Sequence, residues 1–361
     1  MLPLGCSPCR LSRLDPHVRH SCTLPFGLRP ASSRRFTSAC YTLVCIVSVI
    51  IPAHNAERFI GRALESVLAQ GDDVFEVIVI DDHSADKTSA IVSEFRETSS
   101  RVHLVTNETQ MGPATSRNRG IDAARGEWIA FLDADDWWLP DRVATISRHL
   151  AHVDVVSDDV LILSGQSRSK RLLPWRGLDI SAPVRLRAID MASYQLALLK
   201  PVVRASFLTE GHGIRFNSKL SIGEDLYFFI ELLLAGARWM QLPEAYYVYT
   251  RGSTSVTSDA RRHIEGSIDS VAALRARADV RAHPELQALL TRRERWLRDY
   301  ASLLDVLGLA RDRRWKALVA ALSHDRRAVP TLAATAARHA LHKVVRFRRS
   351  RAKPPSATGG A

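Results

Sequence analysis

Leu43-Val44-Cys45-Ile46-Val47-Ser48-Val49-Ile50-Ile51 is a run of aliphatic, mostly β-branched residues that Pro52 interrupts. The run lacks a polar alternation, which marks a strand buried on both faces. Outward from it, residues 56–70 place Phe59, Ile60, Ala63, Leu64, Val67 and Leu68 at helical spacing. Val77-Ile78-Val79-Ile80 is a second buried strand, ending in Asp81-Asp82. Residues 84–95 predict a helix with Ser84 or Asp86 as its cap, and residues 102–105 a third strand. A helix over 113–125 and a strand over 128–132 follow, the latter running into Asp133-Ala134-Asp135-Asp136. Strands alternating with helices at this pitch predict an α/β fold with a doubly wound, Rossmann-like, mostly parallel sheet. Ligands of such sheets bind outside the carboxyl ends of the strands, which is where these acids fall.

The flanks differ in kind. Residues 1–42 hold no sustained hydrophobic period and are read as disordered or as a mis-extended start. Residues 137–257 continue with mixed elements, among them a helix over 139–150, a strand over 153–163, an apolar helix over 225–235 and a strand over 245–249. Residues 258–350 are Ala-, Leu- and Arg-rich and predict helix with a break at Pro330, and 351–361 a disordered tail. The catalytic domain is therefore expected over 43–257, with a helical appendage behind it.

The chain has 361 residues and a formal charge of +12, with 46% apolar and 24% charged residues, a balance that excludes wholesale disorder. No stretch approaches the roughly 18–20 uninterrupted apolar residues of a bilayer span, so an integral membrane protein is not expected. Nine Lys or Arg and no acid lie between Arg326 and Lys353. This basic end suits peripheral contact with an anionic membrane, or a solvated tail. The near-balanced middle argues against specific nucleic-acid binding. All five cysteines lie within the first 45 residues, so no disulfide framework supports the body, and a reducing, cytoplasmic location is expected. Cys6-x-x-Cys9 lacks the second pair that a zinc knuckle needs.

Carboxylates placed directly after buried strands are hard oxygen donors with a fixed backbone, and suit Mg²⁺ or Mn²⁺ with substrate phosphates as further ligands. Helix capping alone would use one acid, not three in succession. Neither G-x-G-x-x-G nor G-x-x-x-x-G-K-[ST] occurs, which disfavours dinucleotide and P-loop folds and leaves phosphate to metal and to basic residues such as Arg117 and Arg119.

Residues 47–55, 79–84, 112–120 and 131–136, together with Gly223-Glu224-Asp225, resemble family 2 glycosyltransferases of the GT-A fold. The stretch around Lys200-Pro201-Val202 and the Gly223 block looks most like bacterial exopolysaccharide enzymes of the succinoglycan type. The resemblance implies a metal-dependent, inverting transfer of sugar from a nucleotide sugar, a UDP-sugar first, to a hydroxyl of a growing exopolysaccharide or a lipid-linked oligosaccharide. It implies that Pro52, Ala53 and His54 line the base pocket and that Asp82 hydrogen-bonds uracil. Asp133 would contact ribose, Arg117 and Glu224 would face substrate, and Asp135 would bind Mn²⁺ or Mg²⁺. Asp225 would be the general base. The acid run leaves Asp135 and Asp136 as alternative metal ligands. His54 stands where the family often has an aromatic residue, and His83 where it has a small one. Arg292-Arg293-Glu294-Arg295-Trp296 matches the [QR]-x-x-R-W motif of processive synthases, a coincidence expected of an Arg-rich helix. Transfer to a polyprenyl phosphate and a non-catalytic nucleotide-sugar-binding partner are the alternatives.

Overall fold

The β-branched run forms β1 (Val47–Ala53), the inner strand of one half of the sheet. It pairs in parallel with β2 (Val74–Asp81), which pairs in parallel with β3 (Val102–Thr106), and on its other side with β4 (Trp128–Phe131). The computed structural model describes residues 47–164, 168–209, 211–250 and 260–311. β1 does not stop at Pro52 but continues to Ala53, in register with Ile80 and Asp81 of β2. Pairing with β4 ends at Ile50, so Pro52 has a strand neighbour on one side only, where a missing N–H is tolerated.

Three helices join these strands. α1 (Ile60–Leu68) buries Ile60, Ala63, Leu64 and Val67. It starts four residues later than its apolar spacing suggests: residues 56–59 form a turn closed by Phe59 and Ile60 N–H on the Ala56 carbonyl, with Ala56 N–H donating to Thr88 Oγ1. α2 (Thr88–Thr98) follows Asp86, whose Oδ1 accepts from Thr88 N–H, while Ser84 Oγ accepts instead from Asn55 N–H. α3 (Pro113–Ala123) crosses β1 at Gly120, where a Cβ would lie 2.3 Å from Ile50 Cγ2.

The second half is mixed. β5 (Trp137–Trp138), α4 (Arg142–Ser147), β6 (Val155–Ser164), β7 (Arg168–Arg171) and α5 (Leu172–Trp175) precede β8 (Val184–Leu186) and α6 (Ala188–Tyr194). Then come β9 (Val202–Arg204), α7 (Ala205–Thr209), α8 (Glu224–Leu234) and β10 (Trp239–Thr250). The main path is β3-β2-β1-β4-β9-β6-β10-β5, with β7 on β6 and β8 on β10. β9 runs antiparallel to both β4 and β6, which restores β6 and β10 to the direction of β1. A three-residue strand is too short for a period to reveal, which is why the sequence reads as more uniformly parallel than the sheet is.

The helical appendage comprises α9 (Ala260–Ala276), α10 (Ala278–Arg281) and α11 (Pro284–Arg311). Trp296 of the R-x-x-R-W stretch lies within α11, half exposed and stacked on Tyr300. Among the described residues no helix is long and apolar enough to cross a membrane. The cysteines, Pro330 and the basic segment 331–349 lie outside the described residues.

Candidate active site

The end of β4 delivers the acid run to the carboxyl edge of the sheet, and β10 pins it there. Asp133 N–H donates to Tyr247 Oη at 3.1 Å, and that hydroxyl donates to Asp136 Oδ2 at 2.7 Å. Asp136 Oδ1 accepts from Thr250 N–H at 2.8 Å. Asp136 is fully buried, and burial together with Asp133 and Asp135 raises its pKa well above the usual carboxylate range. It is an internal anchor. Asp135 is half-buried, and among the described residues no other residue hydrogen-bonds its carboxylate. Burial and the neighbouring Asp133 raise its pKa. Arg62, its guanidinium 3.7 Å from the Trp137 ring centroid, donates to the Asp135 carbonyl.

Beside this run lies a floor of alternating charge drawn from four elements. Arg117 on α3 donates to Asp133 Oδ1 at 2.8 Å and to Glu224 Oε1 at 3.0 Å, and lies 3.6 Å from Asp225 Oδ1. Lys200, just ahead of β9, places Nζ 2.9 Å from Asp133 Oδ2 and 3.1 Å from Asp225 Oδ2. Both cations are only 5% exposed in their side chains. Burial disfavours their charge, but Asp225, Asp133 and Glu224 outweigh it at Arg117, and Asp133 and Asp225 outweigh it at Lys200, so both pKa values are raised. For Asp133 burial acts upward, while Lys200 and Arg117 hold it far below the usual range. Glu224 is raised by burial and by Asp225, against the pull of Arg117.

Glu224 and Asp225 occupy the first turn of α8, and the bend before them depends on Gly223, at φ +80°. Ser270 on α9 donates to the Gly223 carbonyl at 2.8 Å, and a Cβ on Gly223 would meet Ser270 Oγ at 2.7 Å. The appendage thus sets the entry angle of α8. A second buried pair supports Lys200: Arg142, fully buried, donates to Asp158 at 2.8 Å and to the Lys200 carbonyl at 2.7 Å. Asp158 also accepts from the N–H groups of Tyr246 and Tyr247 at 3.0 Å each. One ion pair therefore positions both Lys200 and the tyrosine that holds Asp133. Lys200 and Arg142 are parts of this candidate site to which the sequence reading gave no role. The signals for Lys200 were its place in the Lys200-Pro201-Val202 stretch of the resemblance and its position closing the apolar run Leu196-Ala197-Leu198-Leu199.

The strand-end acids of β2 make a second group. Asp82, 4% exposed, accepts from Asn107 Nδ2 at 2.5 Å and from the N–H groups of Met111 and Gly112 at 2.8 Å each. Burial pushes its pKa up, but these donors and Ser116 bring it below its ordinary value. Asp82 thereby ties the start of α3 to the end of β2. Arg119 is turned to the side chain of Asn107 and the Thr106 carbonyl, away from the floor acids. His54, exposed beyond Pro52 and Ala53, donates from Nδ1 to the Asp82 carbonyl at 2.7 Å and accepts from Asn55 Nδ2 at 2.9 Å. His83 adopts φ +61°, a left-handed conformation that glycine takes most readily.

Among the described residues no three His, Cys, Asp or Glu side chains cluster as a ready metal cage. The donor set does fit a hard cation held through one carboxylate: Asp135 is a partly accessible hard oxygen donor and, among the described residues, makes no ion pair or hydrogen bond with another side chain.

The sequence model described as Glycosyl transferase family 2 matches residues 48–191. The chain is 33% identical over 264 residues to the succinoglycan biosynthesis protein ExoO of Rhizobium meliloti, covering 71% of this chain and 69% of that one. It is 30% identical over 343 residues to the succinoglycan biosynthesis protein ExoU of the same organism, covering 90% and 94%. Among solved structures, residues 1–349 of TarS from Staphylococcus aureus, in complex with UDP, match with a TM-score of 0.53 at 24% identity, over 68% of this chain and 71% of that one. The mannosyltransferase PcManGT from Pyrobaculum calidifontis, in complex with GDP-Man and Mn²⁺, matches with a TM-score of 0.55 at 22% identity, over 84% and 83%. Both show the fold to be GT-A.

Proposed function

Since this chain belongs to glycosyltransferase family 2, we propose that it transfers a sugar, with inversion and with a divalent metal, from a UDP-sugar to a hydroxyl of a growing exopolysaccharide or its lipid-linked precursor. The observation that carries this reading is the shared floor, where the acid after β4 and the acid opening α8 meet on the same two buried cations. A donor-binding carboxylate and a proton-accepting one are thereby held side by side. The GT-A structures bound to UDP and to GDP-Man with Mn²⁺ support the donor class and the metal.

In this reading Pro52, Ala53 and His54 line the base pocket, and Asp82 shapes it by holding the Met111-Gly112 turn. Asp133 faces the ribose. Three floor carboxylates against two cations leave a formal −1, which Asp135 makes −2. A diphosphate is repelled from such a surface unless a divalent cation accompanies it. Asp135 is the residue that would hold that cation, which neutralises the leaving diphosphate when bound. Asp225 accepts the proton of the attacking hydroxyl. Its Oδ2 is engaged by Lys200, while among the described residues Oδ1 has only the 3.6 Å approach of Arg117 and is the oxygen open to that proton. The anionic phosphate of a polyprenyl acceptor would need no such base.

Titration of the full chain with UDP, GDP and dTDP, with and without Mn²⁺, tests the assignment. UDP is expected to bind only with metal, to lose binding in Asp135→Ala and to keep it in Asp225→Asn. Metal-dependent preference for another nucleotide overturns the base pocket, and absence of all binding in a folded sample favours a non-catalytic partner. Full transfer activity in Asp225→Asn would instead favour a polyprenyl-phosphate acceptor.

A further inference from the structure

Lys200 touches one oxygen each of Asp133 and Asp225, so those two oxygens are no more than about 6 Å apart although they belong to different elements. Asp135 follows Asp133 by two residues. Carboxylates as close as those of Asp133 and Asp225 are what a divalent cation collects when nothing else neutralises them. Here the ammonium, 5% exposed and tethered through its own carbonyl to Arg142, sits between the two. Arg117 takes their opposite oxygens, closely at Asp133 and loosely at Asp225. Among the described residues Asp135 alone of these acids makes no ion pair or hydrogen bond with another side chain, Lys200 and Arg62 acting on it only at longer range.

Building on the reading of Asp135 as the metal's ligand, we propose that Lys200 is a specificity-determining residue that keeps Asp133 and Asp225 from ligating the metal. It reserves one carboxylate for the nucleotide and the other for the acceptor proton. Without the ammonium the floor gains one negative charge and two free carboxylate oxygens. The cation would then be drawn inward, to a place where it ties up the base.

The test reads Mn²⁺ binding alone, by electron paramagnetic resonance of the free ion, on the full chain without nucleotide. Lys200→Met is expected to bind Mn²⁺ at least about tenfold more tightly than wild type, since a divalent ion gains from each added charge in a partly buried site. Lys200→Met with Asp225→Asn restores the formal charge and is expected to return most of the way to wild-type affinity. A tightening on losing a side chain is not what structural damage produces. Unchanged or weaker Mn²⁺ affinity in Lys200→Met overturns the proposal, as does a double variant that binds as tightly as the single one. If Lys200→Met does not fold in EDTA, recovery of a cooperative melt on adding Mn²⁺ supports the proposal, and failure to recover overturns it. Loss of UDP binding by the wild type would sink the donor assignment instead, a result separate from these.

Discussion

Asp82 shows how much one strand-end residue does. It belongs to the end of β2, yet its partners are Asn107, Met111 and Gly112, so it closes the loop on which α3 begins. Asp82→Asn keeps the shape but turns an amide N–H₂ toward groups that themselves donate. A loss of about 1–2 kcal/mol is expected at pH 7, in line with hydrogen bonds to a charged acceptor. The sign with pH follows from the lowered pKa of Asp82. Its stabilisation is whole above the unfolded value of about 3.9 and fades as pH falls through the lower folded value. Urea denaturation should therefore show a constant gap between wild type and Asp82→Asn from pH 8 to about 5, closing below about pH 4. A gap that widens with acid would contradict this assignment of the carboxylate. At this scale the sequence names the acid but not its partners.

At the scale of elements, two close approaches set the geometry. α3 can bring Arg117 to the floor only because Gly120 lets it lie directly on Ile50 of β1. Gly120→Ala forces a Cβ into that side chain, and overpacking of this kind costs about 1–3 kcal/mol. The expected result is a lower melting temperature together with weaker metal-dependent UDP binding, because α3 carries Arg117 outward as it shifts. A variant as stable as wild type would show that the helix–strand contact has slack. α8 offers the complementary case: its strongly apolar face, with Phe228 stacked 4.1 Å from Phe216, is legible as a buried helix. That its first turn is aimed by Ser270 of a helix nearly fifty residues later is not, because no local period encodes that contact.

For the whole molecule, the Arg142–Asp158 pair is the joint that ties α4, β6, β9 and β10 of the mixed half of the sheet together. It is buried, and it reaches Lys200 beside β9 as well as the backbone of β10. Removing one partner of such a pair leaves an uncompensated buried charge, at a cost of about 3–5 kcal/mol. Arg142→Met should lose about that much in urea unfolding, whereas Arg142→Met with Asp158→Leu should recover much of it. The double variant is still expected to transfer sugar poorly, since Lys200 and Tyr247 lose their support. Full activity there would mean that β9 alone holds Lys200.

The alternation of β-branched runs and amphipathic helices from residue 47 to 132 determines by itself the parallel half of the sheet and the carboxyl edge where its acids gather. Those are local patterns, period two or 3.6, and they are written in consecutive residues. Tertiary structure alone decided which acids are free. Asp136 is consumed by Tyr247 and Thr250, more than a hundred residues away, and among the described residues Asp135 is left without such a partner. It also decided that Lys200 and Arg117 meet Asp133 and Asp225. The placement of a charge beside another from a distant segment depends on strand register and helix crossing, and neither has a signature in the order of residues along the chain.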